Sequence, residues 1–203
     1  QTFIDMSDNN IVGGREYDIS ASVSDAAGNA ADVKSISFIM DKTKPIIKSV
    51  DMSGITNGAY LQQEDEQDVS HNVTVIMEND DASGQTLTLE LSGVDYSGII
   101  EVSRVTIEIP RQTFIDLSDN NNAAFGREYD ISASVSDAAG NAADVKSISF
   151  IMDKTKPIIK SVDMSGITDG AYLQQEDEQD VSHNVTVIME NDDASGQTLT
   201  LEL

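Results

Sequence analysis

Apolar and polar residues alternate along most of this chain. In Tyr17-Asp-Ile-Ser-Ala-Ser-Val-Ser-Asp25 the apolar Tyr17, Ile19, Ala21 and Val23 are separated by Asp or Ser. A period of two predicts a strand with one dry face and one wet face. Ser35–Met40 turns Ile36, Phe38 and Met40 inward, and His71–Met77 does the same with Val73, Val75 and Met77. Thr86–Leu91 alternates cleanly, as does Val105–Ile109 before Pro110 interrupts it. Thr and Ser on the wet faces suit strands better than helices, and no stretch offers a stripe at helical spacing. Turn signals separate the runs: Ala27-Gly28-Asn29, Asn57-Gly58, Asp80–Gly84, Ser92-Gly93 and Tyr96-Ser-Gly98. Seven or eight short strands with such punctuation predict an all-β chain folded as an antiparallel β-sandwich.

The pattern also repeats. Residues 127–203 reproduce residues 15–91 with one change, Asn57 against Asp169. Gln1–Asn10 returns as Gln112–Asn121 with Leu117 in place of Met6, and the loop that follows differs in length by one residue, Ile11–Gly14 against Asn122–Gly126. A spacing of 112 residues is far above a solenoid period and suits whole domains in series. Asp41-Lys-Thr-Lys-Pro45 and its copy Asp153-Lys-Thr-Lys-Pro157 read as links, because proline ends strand pairing and holds the residue before it extended. Boundaries near Thr43 and Thr155 make 43–154 a complete domain. Residues 1–42 are then the last strands of a preceding copy, and 155–203 the first strands of a following one. The chain opens on Gln1 and stops inside the alternation of Leu199–Leu203, so both ends read as cuts through something longer.

Charge narrows the function classes. Lys and Arg number 12 against 36 Asp and Glu, a formal charge of −24. Nucleic acid and anionic lipid would be repelled; divalent cations, basic partners or plain solubility are favoured. There is no cysteine, hence no disulfide, thiolate metal site or thiol nucleophile, and no apolar run long enough to span a membrane. His71 and His183 are one position in two copies, expected at the surface at the head of a strand. No Ser-His-Asp grouping recurs, so an enzyme is not expected. Glu64–Asp68 and its copy Glu176–Asp180 read as a solvated acidic loop or a second cation site. Asn72-Val-Thr74 fits a glycosylation acceptor by coincidence. With no Trp, five Tyr and five Phe, stacking platforms for sugars are scarce. Tyr17 and Tyr129 stand where a sandwich places a corner tyrosine bonded back to the chain.

The run Tyr129-Asp-Ile-Ser-Ala-Ser-Val-Ser-Asp137-Ala-Ala-Gly-Asn141, followed by Ser149-Phe-Ile-Met-Asp153-Lys-Thr-Lys-Pro157, resembles the bacterial immunoglobulin-like repeats of large surface adhesins. Tyr17, Asp25, Gly28, Asn29, Asp41 and Pro45 match in the other copy. The resemblance implies Ig-like sandwiches set end to end in an extracellular stalk on the bacterial surface, often stiffened by calcium at domain junctions. Some relatives lock strands with a Lys–Asn isopeptide bond; Lys48 lies on a first strand, but the last strand offers no Asn.

Sandwich topology supplies a separate argument for a cation. In an up-and-down traverse of seven strands, the incoming link arrives beside the second–third and sixth–seventh loops. Here those are Asn79-Asp80-Asp81 and Asp137–Asn141, and the link carries Asp41. Four carboxylates and two amides would meet at one junction, and a hard cation with oxygen ligands would relieve their repulsion. The second junction would use Asp153, Asn191, Asp192 and Asp193, while Asp25 and Asn29 would face a domain before Gln1. Two readings need no metal. Asp-Ala-Ala-Gly-Asn is a good hairpin connection by itself, and Lys42 and Lys44 can neutralise the loops.

The expected function is a structural stalk or spacer module of an extracellular adhesin or filament. The alternative is a repeated low-affinity ligand- or carbohydrate-binding module acting by multivalency. Partners are neighbouring repeats in the same chain or end-to-end copies. Strands in 155–203 would pair with 1–42 of another molecule, since together they hold all of one repeat except Ser92–Arg111. A window on a longer covalent array is the duller expectation.

Overall fold

A computed structural model describes residues 6–8, 11–62, 70–118, 126–165, 169–170, 183–192 and 194–202. Glu64–Asp68 and Glu176–Asp180 lie outside the described residues. Among those described, strands dominate. One sheet is built from β3 (Ile47–Met52), β5 (Ser70–Met77) and β8 (Arg104–Pro110), in that order. The other holds β4 (Ala59–Gln62), β10 (Lys146–Asp153), β9 (Arg127–Ser134), β6 (Thr86–Leu91) and β7 (Val94–Ile99), again in spatial order. Pairing is antiparallel except for β4, which runs parallel to β10. Two further hairpins, β1 (Arg15–Ala21) with β2 (Lys34–Met40), and β11 (Ile159–Met164) with β12 (Val185–Met189), form separate two-stranded sheets.

The period of two explains the core. Val73, Val75 and Met77 of β5, Leu87, Leu89 and Leu91 of β6, and Val105, Ile107 and Ile109 of β8 are all buried. Tyr129, Ile131 and Ala133 of β9 and Ile148, Phe150 and Met152 of β10 are buried too; with β6 they form the wall that opposes β5 and β8. The intervening Thr, Ser and Glu positions stay at least partly exposed. The buried cluster begins at Ile47 and ends at Met152. Burying these faces against each other is the main favourable term, because each large apolar side chain contributes about 1.5–3 kcal/mol when removed from water.

Turn chemistry agrees with the local sequence. Ser92 (φ 54°) and Gly93 (φ 83°) both take positive φ between the paired Leu91 and Val94, the backbone of a type I′ hairpin turn. Asn57-Gly58 opens β4 by imitating a ladder. Asn57 Oδ1 accepts the Ser149 N–H at 2.8 Å, and the Gly58 N–H donates to the Ser149 carbonyl at 2.7 Å. Asp169 at the matching position keeps an equivalent acceptor.

Three local expectations fail. Tyr96-Ser-Gly98 is not a turn but the middle of β7. Gly98 is there because a Cβ would stand 2.8 Å from Val105 Cγ2 and 2.9 Å from Ile107 Cγ1; it lets β7 lie close over β8. A short helix, α1 (Arg111–Asp116), follows Pro110, where the strand pattern gave no helical sign. His71 is buried rather than exposed, with its ring edge-on to Phe114 of α1 at 4.7 Å. The helix folds Phe114 back over the head of β5, and period-two reading cannot see a cover supplied from another element. The traverse is also not a plain up-and-down one of seven strands. β4 makes an eighth and crosses to the sheet opposite β3.

The expected corner tyrosine is present. Tyr129 Oη donates to the Ser118 carbonyl at 2.8 Å and accepts the Ser118 N–H at 3.1 Å. Lys154 Nζ donates to the carbonyls of Phe114, Ile115 and Leu117, satisfying the C-terminal end of α1 that has no basic residue of its own.

The repeat offers an internal control on burial. Ile131 is fully buried whereas Ile19, in the same sequence, is 47% exposed. Thermal denaturation of Ile131→Ala should show a loss of about 2–5 kcal/mol. Ile19→Ala should leave the main transition within about 0.5 kcal/mol of wild type.

Candidate functional site at the link between repeats

The link Asp41–Ile46 lies between β2 and β3 and meets two loops, β5–β6 and β9–β10. Each loop fastens the link through an amide side chain. Asn79 Oδ1 accepts the Ile46 N–H at 3.0 Å, and its Nδ2 donates to the Lys44 carbonyl at 3.1 Å. Asn141 Nδ2 donates to the Asp41 carbonyl at 3.2 Å. Asn191 repeats the first clamp on the next link, with Ile158 N–H at 3.0 Å and the Lys156 carbonyl at 3.0 Å. Pro45 is buried, so the link is held by packing as well as by polar contacts.

The β9–β10 loop is organised by Asp137. Its Oδ1 accepts the N–H groups of Ala139 (2.9 Å) and Asn141 (2.8 Å), and its Oδ2 accepts from Asn141 Nδ2 at 2.8 Å. Gly140 takes φ +92°, which a side chain would resist. Asp25 and Asn29 build the same turn, with Asp25 Oδ1 accepting from Ala27 and Asn29 N–H groups. There the Asn29 side-chain hydrogen bond, followed by backbone N–H donors, holds the exposed Asp25 carboxyl below its ordinary range. The turn therefore satisfies its carboxylate by itself.

Asp81 differs. It is buried, its Oδ2 accepts from Asn79 Nδ2 at 2.6 Å, and its Oδ1 has no hydrogen-bond partner. Burial raises its pKa above the usual carboxylate value, and the negative charges of Asp41, Asp137, Asp8 and Asp80 raise it further. Asp8 was not among the expected residues. It is buried, and its Oδ2 accepts the Lys42 N–H and the Thr43 hydroxyl, both at 2.8 Å. No periodicity marks it, because it lies in the segment before β1 and reaches the link only through a contact distant in sequence. Asp41 Oδ1 accepts the Thr43 N–H at 3.1 Å, and Asp153 treats Thr155 identically. Lys44 stands 3.8 Å from Asp144, an exposed pair worth little.

The structure thus brings Asp41, Asn79, Asp80, Asp81, Asp137 and Asn141 to one junction, with Asp8 added. Asn191, Asp192 and Asp153 flank the next link, where Asp192 is exposed; Asp193 lies outside the described residues. The donors are hard oxygens of the kind calcium takes. Among the described residues, however, no three acidic or histidine side chains are placed to share a metal ion, and the amides are engaged by link backbone.

The bacterial Ig-like domain family matches residues 12–42 and 45–154, and the chain belongs to that family. No curated protein matches the sequence. Among solved structures, one similar chain is described as a calcium-stabilised adhesin that helps an Antarctic bacterium reach out and bind ice. It is 21% identical with a TM-score of 0.36, over 78% of this chain and 36% of that one. A second, from a 1.5-MDa bacterial ice-binding adhesin, is 17% identical with a TM-score of 0.40, over 76% and 46%. The D00–D0 domain of intimin is 11% identical with a TM-score of 0.30, over 70% and 67%. The chain spans between a third and a half of the two ice-binding adhesin structures. Among the described residues no helix is long and apolar enough to cross a membrane.

A carboxyl with a raised folded pKa contributes stability while protonated and loses it as pH rises through that value. Asp81→Asn should therefore melt above wild type near neutral pH in the absence of divalent cations. The gap should close as pH falls through the raised pKa of the Asp81 carboxyl and the wild type takes up its proton. Paired melting curves across that range test the direction.

Proposed function

We propose that this chain is a non-enzymatic spacer from a bacterial extracellular adhesin or surface filament, in which serial Ig-like repeats give reach. Residues 43–154 act as one complete repeat, with 1–42 and 155–203 belonging to its neighbours along the array. The observation that carries this reading is the pair of amide clamps, Asn79 and Asn141, on the backbone of a short proline-bearing link. A link bonded to both adjacent loops resists bending, and Asn191 copies the arrangement at the next link. Rigidity in series converts repeat number into length, which is what a stalk supplies to a distal tip.

Small-angle scattering on chains of two, three and four repeats tests this. The maximum dimension should grow linearly, by on the order of 40 Å per repeat, the length of an eight-residue strand plus its end loops. Asn79→Ala should shorten it by loosening the link. A compact profile that does not lengthen with repeat number would sink the reading.

Calcium at the junction is a finer reading, favoured by the buried Asp81 Oδ1 that lacks a donor among neighbouring negative charges. Asp81, Asp41 and Asp80 are the residues that would hold the ion after side-chain adjustment; the ion would supply charge neutralisation. At the affinities of extracellular modules, about 5 mM calcium would add about 1–2 kcal/mol. Differential scanning calorimetry should then show a rise in Tm of about 4 °C or more, absent in Asp81→Asn. An unchanged Tm would remove calcium and leave the spacer intact.

A further inference from the structure

The sequence contains one Asn-Gly pair, Asn57-Gly58, and it falls on the single position at which residues 15–91 and 127–203 differ. The second copy has Asp169-Gly170 there. An asparagine followed by glycine is open to attack by its own chain, because glycine has no side chain to keep its backbone nitrogen off the neighbouring amide carbon. Access is unobstructed here. Asn57 and Gly58 are exposed, and a Cβ at Gly58 would meet nothing within 4 Å. Both reacting groups are nevertheless held by one residue. The Gly58 N–H donates to the Ser149 carbonyl at 2.7 Å, while Asn57 Oδ1 accepts the Ser149 N–H at 2.8 Å. The Ala59 N–H closes the turn on the Thr56 carbonyl at 2.8 Å, with Gly58 at φ +77°, as in a type II turn. Ring closure needs the Gly58 nitrogen to leave Ser149 and swing onto Cγ of Asn57, so the turn must first come off β10.

We propose that Asn57 is a self-deamidation site gated by the docking of β4 on β10, and that its aspartate product keeps the fold whereas its isoaspartate product does not. When β4 opens, the Gly58 nitrogen gives up its proton and adds to Cγ of Asn57. The Cγ–Nδ2 bond breaks, Nδ2 leaves as ammonia with that proton, and a succinimide ring remains. Water then opens the ring at either carbonyl. Opening at Cγ gives an aspartate. Its carboxylate offers the Ser149 N–H the acceptor that Oδ1 offered, now charge-assisted. Asp169-Gly170 already carries that residue on the same backbone, Gly170 taking φ +75°. Opening at the backbone carbonyl instead routes the chain through Cβ and Cγ. The main chain gains one atom just before Ala59, which pairs with Phe150, and a strand pushed along its ladder loses its inward side chain. That side chain is Leu61, fully buried. The inference rests on this turn and its copy, not on the spacer reading, and its failure leaves that reading standing.

Ageing the 203-residue chain at mildly alkaline pH, followed by peptide mapping with mass spectrometry, is the test. The mass change from amide to acid reads the total reaction, and enzymatic methylation reads isoaspartate. Conversion at Asn57 should run roughly tenfold or more slower than in a synthetic peptide of residues 55–61, and the slowing should match the hydrogen-exchange protection of the Gly58 amide, because one opening governs both. Leu61→Ala loosens β4 and should speed conversion and exchange together, by roughly tenfold. Val105→Ala, in the opposite sheet, should lower the global Tm and leave both rates near wild type. Should Leu61→Ala fail to fold, the wild-type match between conversion and exchange decides alone. Asn57→Asp should melt with wild type, and the isoaspartate form separated from aged protein should melt lower. Conversion at the peptide rate in a chain whose Gly58 amide is protected overturns the proposal. So does equal acceleration by Leu61→Ala and Val105→Ala, an Asn57→Asp chain that melts below wild type, or an isoaspartate form that melts with it.

Discussion

Everything in this molecule depends on one constraint: a β-sheet with one apolar face is stable only when another sheet covers it. The middle sandwich meets it by setting β3, β5 and β8 against β10, β9 and β6, with Leu, Ile and Val from both walls interleaved. The duplicated hairpins show what happens without a facing wall. Strand pairing and register persist, because ladder hydrogen bonds are local to the hairpin, but the apolar faces remain in water. Pairing is thus a property of the hairpin, and burial is a property of the partner.

At the junction two kinds of polar chemistry meet. The amides of Asn79 and Asn141 complete the hydrogen bonding of a link whose proline cannot donate, so the backbone enters the sandwich with its polar groups matched. The carboxylates pull the other way. Asp137 is fully engaged by its own turn, whereas Asp81 is buried beside four further negative charges with one oxygen unmatched. The amides make the joint specific; the carboxylates leave it under electrostatic tension that protons or a hard cation would relieve. Membership of the bacterial Ig-like domain family fits a sandwich built of strands in this way.

Much of this was legible in the sequence. Alternation identified the inward faces of β5, β6, β8, β9 and β10 because side-chain direction in a strand has a period of two whatever surrounds it. Ser92-Gly93 and Asp137–Asn141 were readable because their chemistry is local. Asp41, Asn79, Asp81 and Asp137 were legible as candidates, though the count of seven strands behind them leaves out β4. The short helix, the buried His71, the extended Tyr96-Ser-Gly98 and the participation of Asp8 did not show. Each depends on a contact between residues distant in the chain: Phe114 over His71, Gly98 against Val105 and Ile107, and Asp8 on Lys42 and Thr43.

The sequence by itself determined that the chain is made of strands, that they recur as copies, and which side of each strand is dry, because these follow from nearest-neighbour geometry and composition. Only the tertiary structure decided which dry faces find cover and which oxygens at the link find donors. The proof is within the chain: Ile19 and Ile131 share every neighbour in sequence, yet only Ile131 has an opposing sheet, and no local rule distinguishes them.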